Sequence, residues 1–78
     1  MENETFIIVL RSGDKFRVNR QFAGAAVAKK EKQLELNDSN GNFIARVNSD
    51  YIMAVVNSNY ISDYSTIHDL TKPYKGRL

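Results

Sequence analysis

The side chain best suited to moving a proton is the single histidine, His68, the one group whose ordinary pKa lies near neutrality. Asp63, Ser65 and Asp69 stand close to it in sequence, so a nucleophile, a base and an orienting carboxylate can be assembled on paper. Such a triad works only when a rigid scaffold holds its members in fixed geometry, and the segment around His68 is rich in Ser, Thr and Asp, which prefer caps and turns. His68 therefore reads as a surface or packing residue, and the chain is not expected to be an enzyme. One histidine with two aspartates is too few ligands for zinc, and the absence of cysteine removes thiolate sites and disulfides. Asp38-Ser39-Asn40-Gly41-Asn42 has the oxygen-rich look of a calcium loop, but where such a loop closes with glutamate the sequence has Ser49, and a β-turn accounts for every residue. Gly13, Gly24, Gly41 and Gly76 are isolated, so there is no phosphate-cradling loop. Neither a metal nor a cofactor is expected.

Binding surfaces are the better prospect. The net charge of +2 is small, but it is unevenly spread. Between Arg11 and Lys32 seven basic side chains face two acidic ones, whereas from Asp50 to Asp69 the only charges are Asp50, Asp63 and Asp69. Such asymmetry can steer a polyanion to one side of a small domain. The candidates for a nucleic-acid surface are Lys15, Arg17, Arg20, Lys29, Lys30, Lys32 and Arg46, with Phe22 or Tyr51 as stacking platforms. A second candidate surface is apolar. Tyr60, Ile61, Tyr64, Ile67 and Leu70 recur at helical spacing, and a stripe of that kind docks either on its own domain or on another protein.

The elements that must position these residues are mostly strands. Residues 33–56 read as three in succession: Gln33 to Asn37, Asn42 to Asn48 and Tyr51 to Val56. Asp38-Ser39-Asn40-Gly41 joins the first two, and Asn40-Gly41 is a strong hairpin signal; Asn48-Ser49-Asp50 joins the last two. Upstream, Glu4 to Arg11 and Lys15 to Asn19 form a hairpin through Ser12-Gly13-Asp14. Phe6, Ile8, Leu10, Phe16 and Val18 share one face, and Ile7 and Val9 make the first strand apolar on the other side too. Leu34 and Leu36 face inward, and the core also claims Phe43. Arg20 to Lys32 is ambiguous. Its alanines and a capping Asn19 favour a short helix, while Gly24 and the alternation around Val27 permit a strand or an irregular link.

Five short strands with tight turns, two of them apolar on both faces, predict a mainly β, small five-stranded antiparallel barrel in which first and last strands meet. Over residues 4–57 the strand order and spacing resemble an SH3-type or Sm-like barrel. A short helix or turn is expected at 58–71 and a basic tail at 72–78, all within a single domain. No apolar run approaches the roughly 18–20 residues of a spanning helix, the longest being Phe6 to Leu10, and the acidic Met-Glu-Asn-Glu start is unlike a signal peptide. A cytoplasmic protein is the expectation. The function expected is that of a non-catalytic adaptor engaging another protein or a second copy of itself. A nucleic-acid-binding barrel using the Arg11–Lys32 region is the alternative.

Overall fold

The first strand, β1 (Thr5–Leu10), is buried on both faces, as its apolar residues on both sides require. A computed structural model describes residues 4–63 and 65–73 of the chain. Strand β1 turns through Gly13, at φ 95°, into the antiparallel β2 (Lys15–Asn19). Asn19 then ends the strand and starts a helix, α1 (Arg20–Ala28), its side chain accepting the Phe22 N–H at 2.9 Å. The helix closes at Lys29, which takes the left-handed conformation at φ 53° and donates its N–H to the Ala25 carbonyl. The hairpin β3 (Gln33–Asn37) and β4 (Phe43–Asn48) follows. A 3-10 turn (Ser49–Tyr51) leads into β5 (Ile52–Asn57), which returns to β1. A second 3-10 turn (Ser58–Tyr60) precedes the short β6 (Ile67–Asp69).

The strands make two sheets. One has the order β5-β1-β2-β6 and is mixed, because β6 runs parallel to β2; the other is the β3-β4 hairpin alone. The expected closed five-stranded barrel, and with it the SH3-type or Sm-like closure, is therefore not formed. The physical reason lies on both sides of β2. A barrel would pair β2 with β3, but nine residues of helix intervene, and Ala23 and Ala26 wedge into the core between the sheets. The free edge of β2 is taken instead by β6, and the Leu70 N–H continues the ladder to the Arg17 carbonyl. Of the short helix or turn expected at 58–71, the described residues form a 3-10 turn at Ser58–Tyr60, while Ile67 to Asp69 are extended rather than helical.

The core lies between the larger sheet on one side and α1 with the hairpin on the other. Ile8, Leu10, Phe16 and Val18 meet Ala23, Ala26, Leu34, Leu36, Val47, Ile52 and Leu70 there. Burying these side chains is the main favourable term available to so short a chain. The path from β2 through α1 and the hairpin to β5 joins parallel strands over this face. The path from β5 to β6 also joins parallel strands but runs the opposite way along the sheet. Ser58 starts that path with a hydroxyl–hydroxyl bond of 2.6 Å to Thr5, which shares its face with Ile7. Ile7 is 1% exposed although it stands outside the core cluster.

Two β-bulges reset the inward–outward alternation. One lies between Leu36 and Asn37, where Asn37 pairs with Phe43 while Leu36 pairs with Ala45. Ile44 packs on the core as a result, and Phe43, expected inside, is 59% exposed. The other skips Met53 between the Val9–Ala54 and Leu10–Ile52 pairs, leaving that methionine 66% exposed.

Candidate functional site

An open strand edge faces a cleft in this fold, and that edge belongs to β3. Its hydrogen-bonding pattern follows from one bond. The Ser49 N–H donates to the Lys32 carbonyl at 2.7 Å, and these two residues stand opposite each other in the β3–β4 register. Directly opposed residues of antiparallel strands alternate between pairs that exchange hydrogen bonds and pairs whose backbone groups point away. Lys32–Ser49, Leu34–Val47 and Leu36–Ala45 are thus bonded pairs, and Gln33–Asn48 and Glu35–Arg46 are not. The N–H and C=O groups of Gln33 and Glu35 point away from β4. Among the described residues they meet no backbone partner, because β2 does not lie alongside.

What lies alongside is a groove between β3 and α1. One stretch, of about 580 Å³, is lined by Gln33, Leu34 and Glu35 from the strand and by Gln21, Phe22 and Ala25 from the helix. It continues past Asn19, Phe22, Asn37 and Asp38 into a second stretch of about 470 Å³, floored by Val18, Leu36 and Leu70. Both volumes are within the range of ordinary ligand clefts. The groove is apolar at its base and polar at its rim, and Phe22, half-buried, stands in both stretches.

The local sequence explains why the groove keeps its shape. Asp38 is buried where the two stretches meet, and its carboxylate accepts the N–H groups of Asn40 and Asn42, each at 2.9 Å, and the Asn42 amide at 3.1 Å. Gly41, at φ 80°, lets the chain turn back. The apparent calcium loop is thus a turn whose acidic side chain is spent on its own backbone. At the helix side, the Asn19 cap fixes the direction in which α1 leaves β2.

The residues singled out from sequence fall elsewhere, and they are dispersed. Of the apolar stripe, Tyr60 is 83% exposed on the second 3-10 turn, Ile61 and Ile67 are half-buried, and Leu70 is in the core and on the groove floor. Tyr64 lies outside the described residues, as does the basic tail beyond Pro73. No single helix face carries the described members of the stripe.

Of the basic set, Arg17 is held inside a chain of polar contacts. Its Nε donates to the Thr5 hydroxyl at 3.1 Å, and its Nη1 lies 3.4 Å from the Asp69 carboxylate. Burial alone would raise the Asp69 pKa, but the Thr71 hydroxyl and N–H, with Arg17 and Lys72, hold it below the usual 3.8. Lys15 is half-buried beside Ile67. Arg20 approaches Glu4 at 4.0 Å, and Arg46 approaches Glu35 at 3.8 Å. Lys29, Lys30 and Lys32 remain together and exposed in the α1–β3 turn, outside the groove lining.

The His68 ring lies beside that of Phe16, with centroids 5.1 Å apart and the planes tilted by 35°. Among the described residues there is no cluster of three or more His, Asp or Glu able to hold a metal ion, and no helix long and apolar enough to cross a membrane. No protein-family model matches the sequence, and neither a curated protein nor a solved structure matches it significantly.

Proposed function

We propose that this chain is a non-catalytic binding module that takes up an extended segment of another protein as an added strand beside β3. The observation carrying this reading is that Gln33 and Glu35 turn their backbone donors and acceptors into a groove whose opposite wall is α1. An incoming strand would complete the ladder on that edge, and main-chain hydrogen bonds of this kind supply affinity with little demand on sequence. Every second side chain would point inward with Leu34 and Leu36, onto Phe22 and Ala25; the others would point outward with Gln33 and Glu35. The helix thus supplies the side-chain pockets and the strand supplies the backbone partners.

The test is a titration of the protein with capped peptides of alternating valine and threonine, followed by amide chemical shifts. Saturable shifts centred on Gln33, Glu35 and Phe22 are expected. Shifts confined to β5, β6 or the Lys29–Lys32 turn would overturn the reading.

A further inference from the structure

Charge says which extended segments suit the groove. Its two stretches are lined by Glu4, Glu31, Glu35 and Asp38 against a single basic residue, Arg46. Even with Arg20 counted at the rim, 4.0 Å from Glu4, acids exceed bases by two, in a chain whose net charge is +2. The lysines of the α1–β3 turn do not line it. The lining charges are therefore opposite in sign to the net charge of the chain, and a cleft lined by one sign of charge favours ligands of the other.

From this we infer that the occupant of the β3 groove is a basic strand, with Lys or Arg at alternate positions and apolar side chains between them. The inference rests on the strand-addition reading above. Register gives it its form. Residues of an added strand opposite Glu35 share its outward face, and on that face Glu35 already stands next to Arg46 across the hairpin. A basic side chain on the other flank of Glu35 completes a row of alternating sign over three strands, whereas an acidic one sets like charges side by side. Residues opposite Leu34 and Leu36 turn toward Phe22 and Ala25, which offer only apolar surface. Glu31 at one end and Glu4 at the other extend the preference along the groove.

The same register disfavours a second copy of the chain. Two β3 edges pairing about a twofold axis at their centre would bring Glu35 against Glu35 of the second copy, with only polar Gln33 and Asn37 beside them. The groove also disfavours nucleic acid, whose phosphates would enter an acidic cleft.

Three capped peptides separate the possibilities: Ser-Lys-Val-Lys-Val-Lys-Ser and its versions with Thr or Glu in place of every Lys. The lysine peptide is expected to bind about fivefold tighter than the threonine one in low salt, the upper worth of the one cross-strand ion pair that Glu35 can make. The glutamate peptide should bind weakest. Added salt should narrow these gaps. Glu35→Lys, which leaves the backbone edge intact, should shrink or reverse the preference. If all three peptides shift the Gln33 and Glu35 amides with equal affinity, strand addition stands and the charge inference falls. If none of them shifts those amides, both fall. A concentration-dependent dimer in light scattering that Glu35→Pro, which removes the outward N–H, abolishes would name the second copy as occupant and overturn the inference.

Discussion

Replacing Glu35 by proline tests the open edge at the level of one N–H. Proline has no amide proton and is tolerated in strands where that proton would face outward. At Glu35 the N–H points into the groove, so no ladder bond is lost. The substitution also removes the Glu35–Arg46 ion pair, whose atoms stand 3.8 Å apart on side chains 48% and 61% exposed, and pairs of that kind are worth about 0–1 kcal/mol. Glu35→Gln removes the charge and keeps the N–H, so the cost of proline relative to glutamine should be at most about 1 kcal/mol. Leu36 is the contrast. It is 1% exposed and its N–H belongs to the bonded pair with Ala45. Leu36→Ala should cost about 2–5 kcal/mol through lost burial. Leu36→Pro should add about 2 kcal/mol more, from the lost bond and the Ala45 carbonyl left without a donor. A domain of 78 residues has a total stability of about 4–12 kcal/mol, so Leu36→Pro comes close to unfolding it. Urea denaturation followed by far-ultraviolet circular dichroism measures all four variants. Equal proline penalties at the two positions would refute the hydrogen-bonding pattern and the binding reading built on it. With the pattern correct, Glu35→Pro stays folded yet no longer binds strand peptides.

Three further outcomes follow from the same contacts. Asp38→Ala should cost about 3 kcal/mol in the same denaturation experiment, because the buried carboxylate accepts three hydrogen bonds that hold the β3–β4 turn. Lys29→Gly should raise stability by about 1 kcal/mol, since a non-glycine residue at φ 53° carries the cost of the left-handed conformation. Asp69 has a pKa lowered below 3.8 in the folded chain, so its contribution is complete above the unfolded value and disappears as pH falls through the folded one. Denaturation midpoints should therefore drop below about pH 4 more steeply in the native chain than in Asp69→Asn, which has no such proton to bind.

Most of the strand skeleton is legible in the sequence because its signals are local. Alternation in Phe6 to Leu10, Lys15 to Asn19 and Gln33 to Asn37, with Gly13 and Gly41 at the turns, places those strands within a residue of where they lie. Over Arg20 to Lys32 the sequence balances a helix against a strand, because Gly24 and Val27 argue one way and the alanines with Asn19 the other. The structure decides for the cap, with Gly24 exposed and nothing within 4 Å of where its side chain would stand. The barrel failed as an expectation for a non-local reason. Whether β2 takes β3 or β6 as its neighbour depends on residues 52 positions apart, and Ile67-His68-Asp69 is too short a run to declare itself a strand. The bulges that expose Phe43 and Met53 are invisible to a strict period of two. The groove was missed for the same cause as the barrel. Glu35 reads from sequence as an ordinary outward-facing residue, and only the absent β2–β3 pairing makes its backbone available.

Native-state amide exchange along β3 tests the central claim most directly. The account predicts slow exchange at Leu34 and Leu36, fast exchange at Gln33 and Glu35, and protection of the latter two on adding the lysine peptide. Slow exchange at all four amides in the free protein would mean that the edge is already paired, and would contradict it.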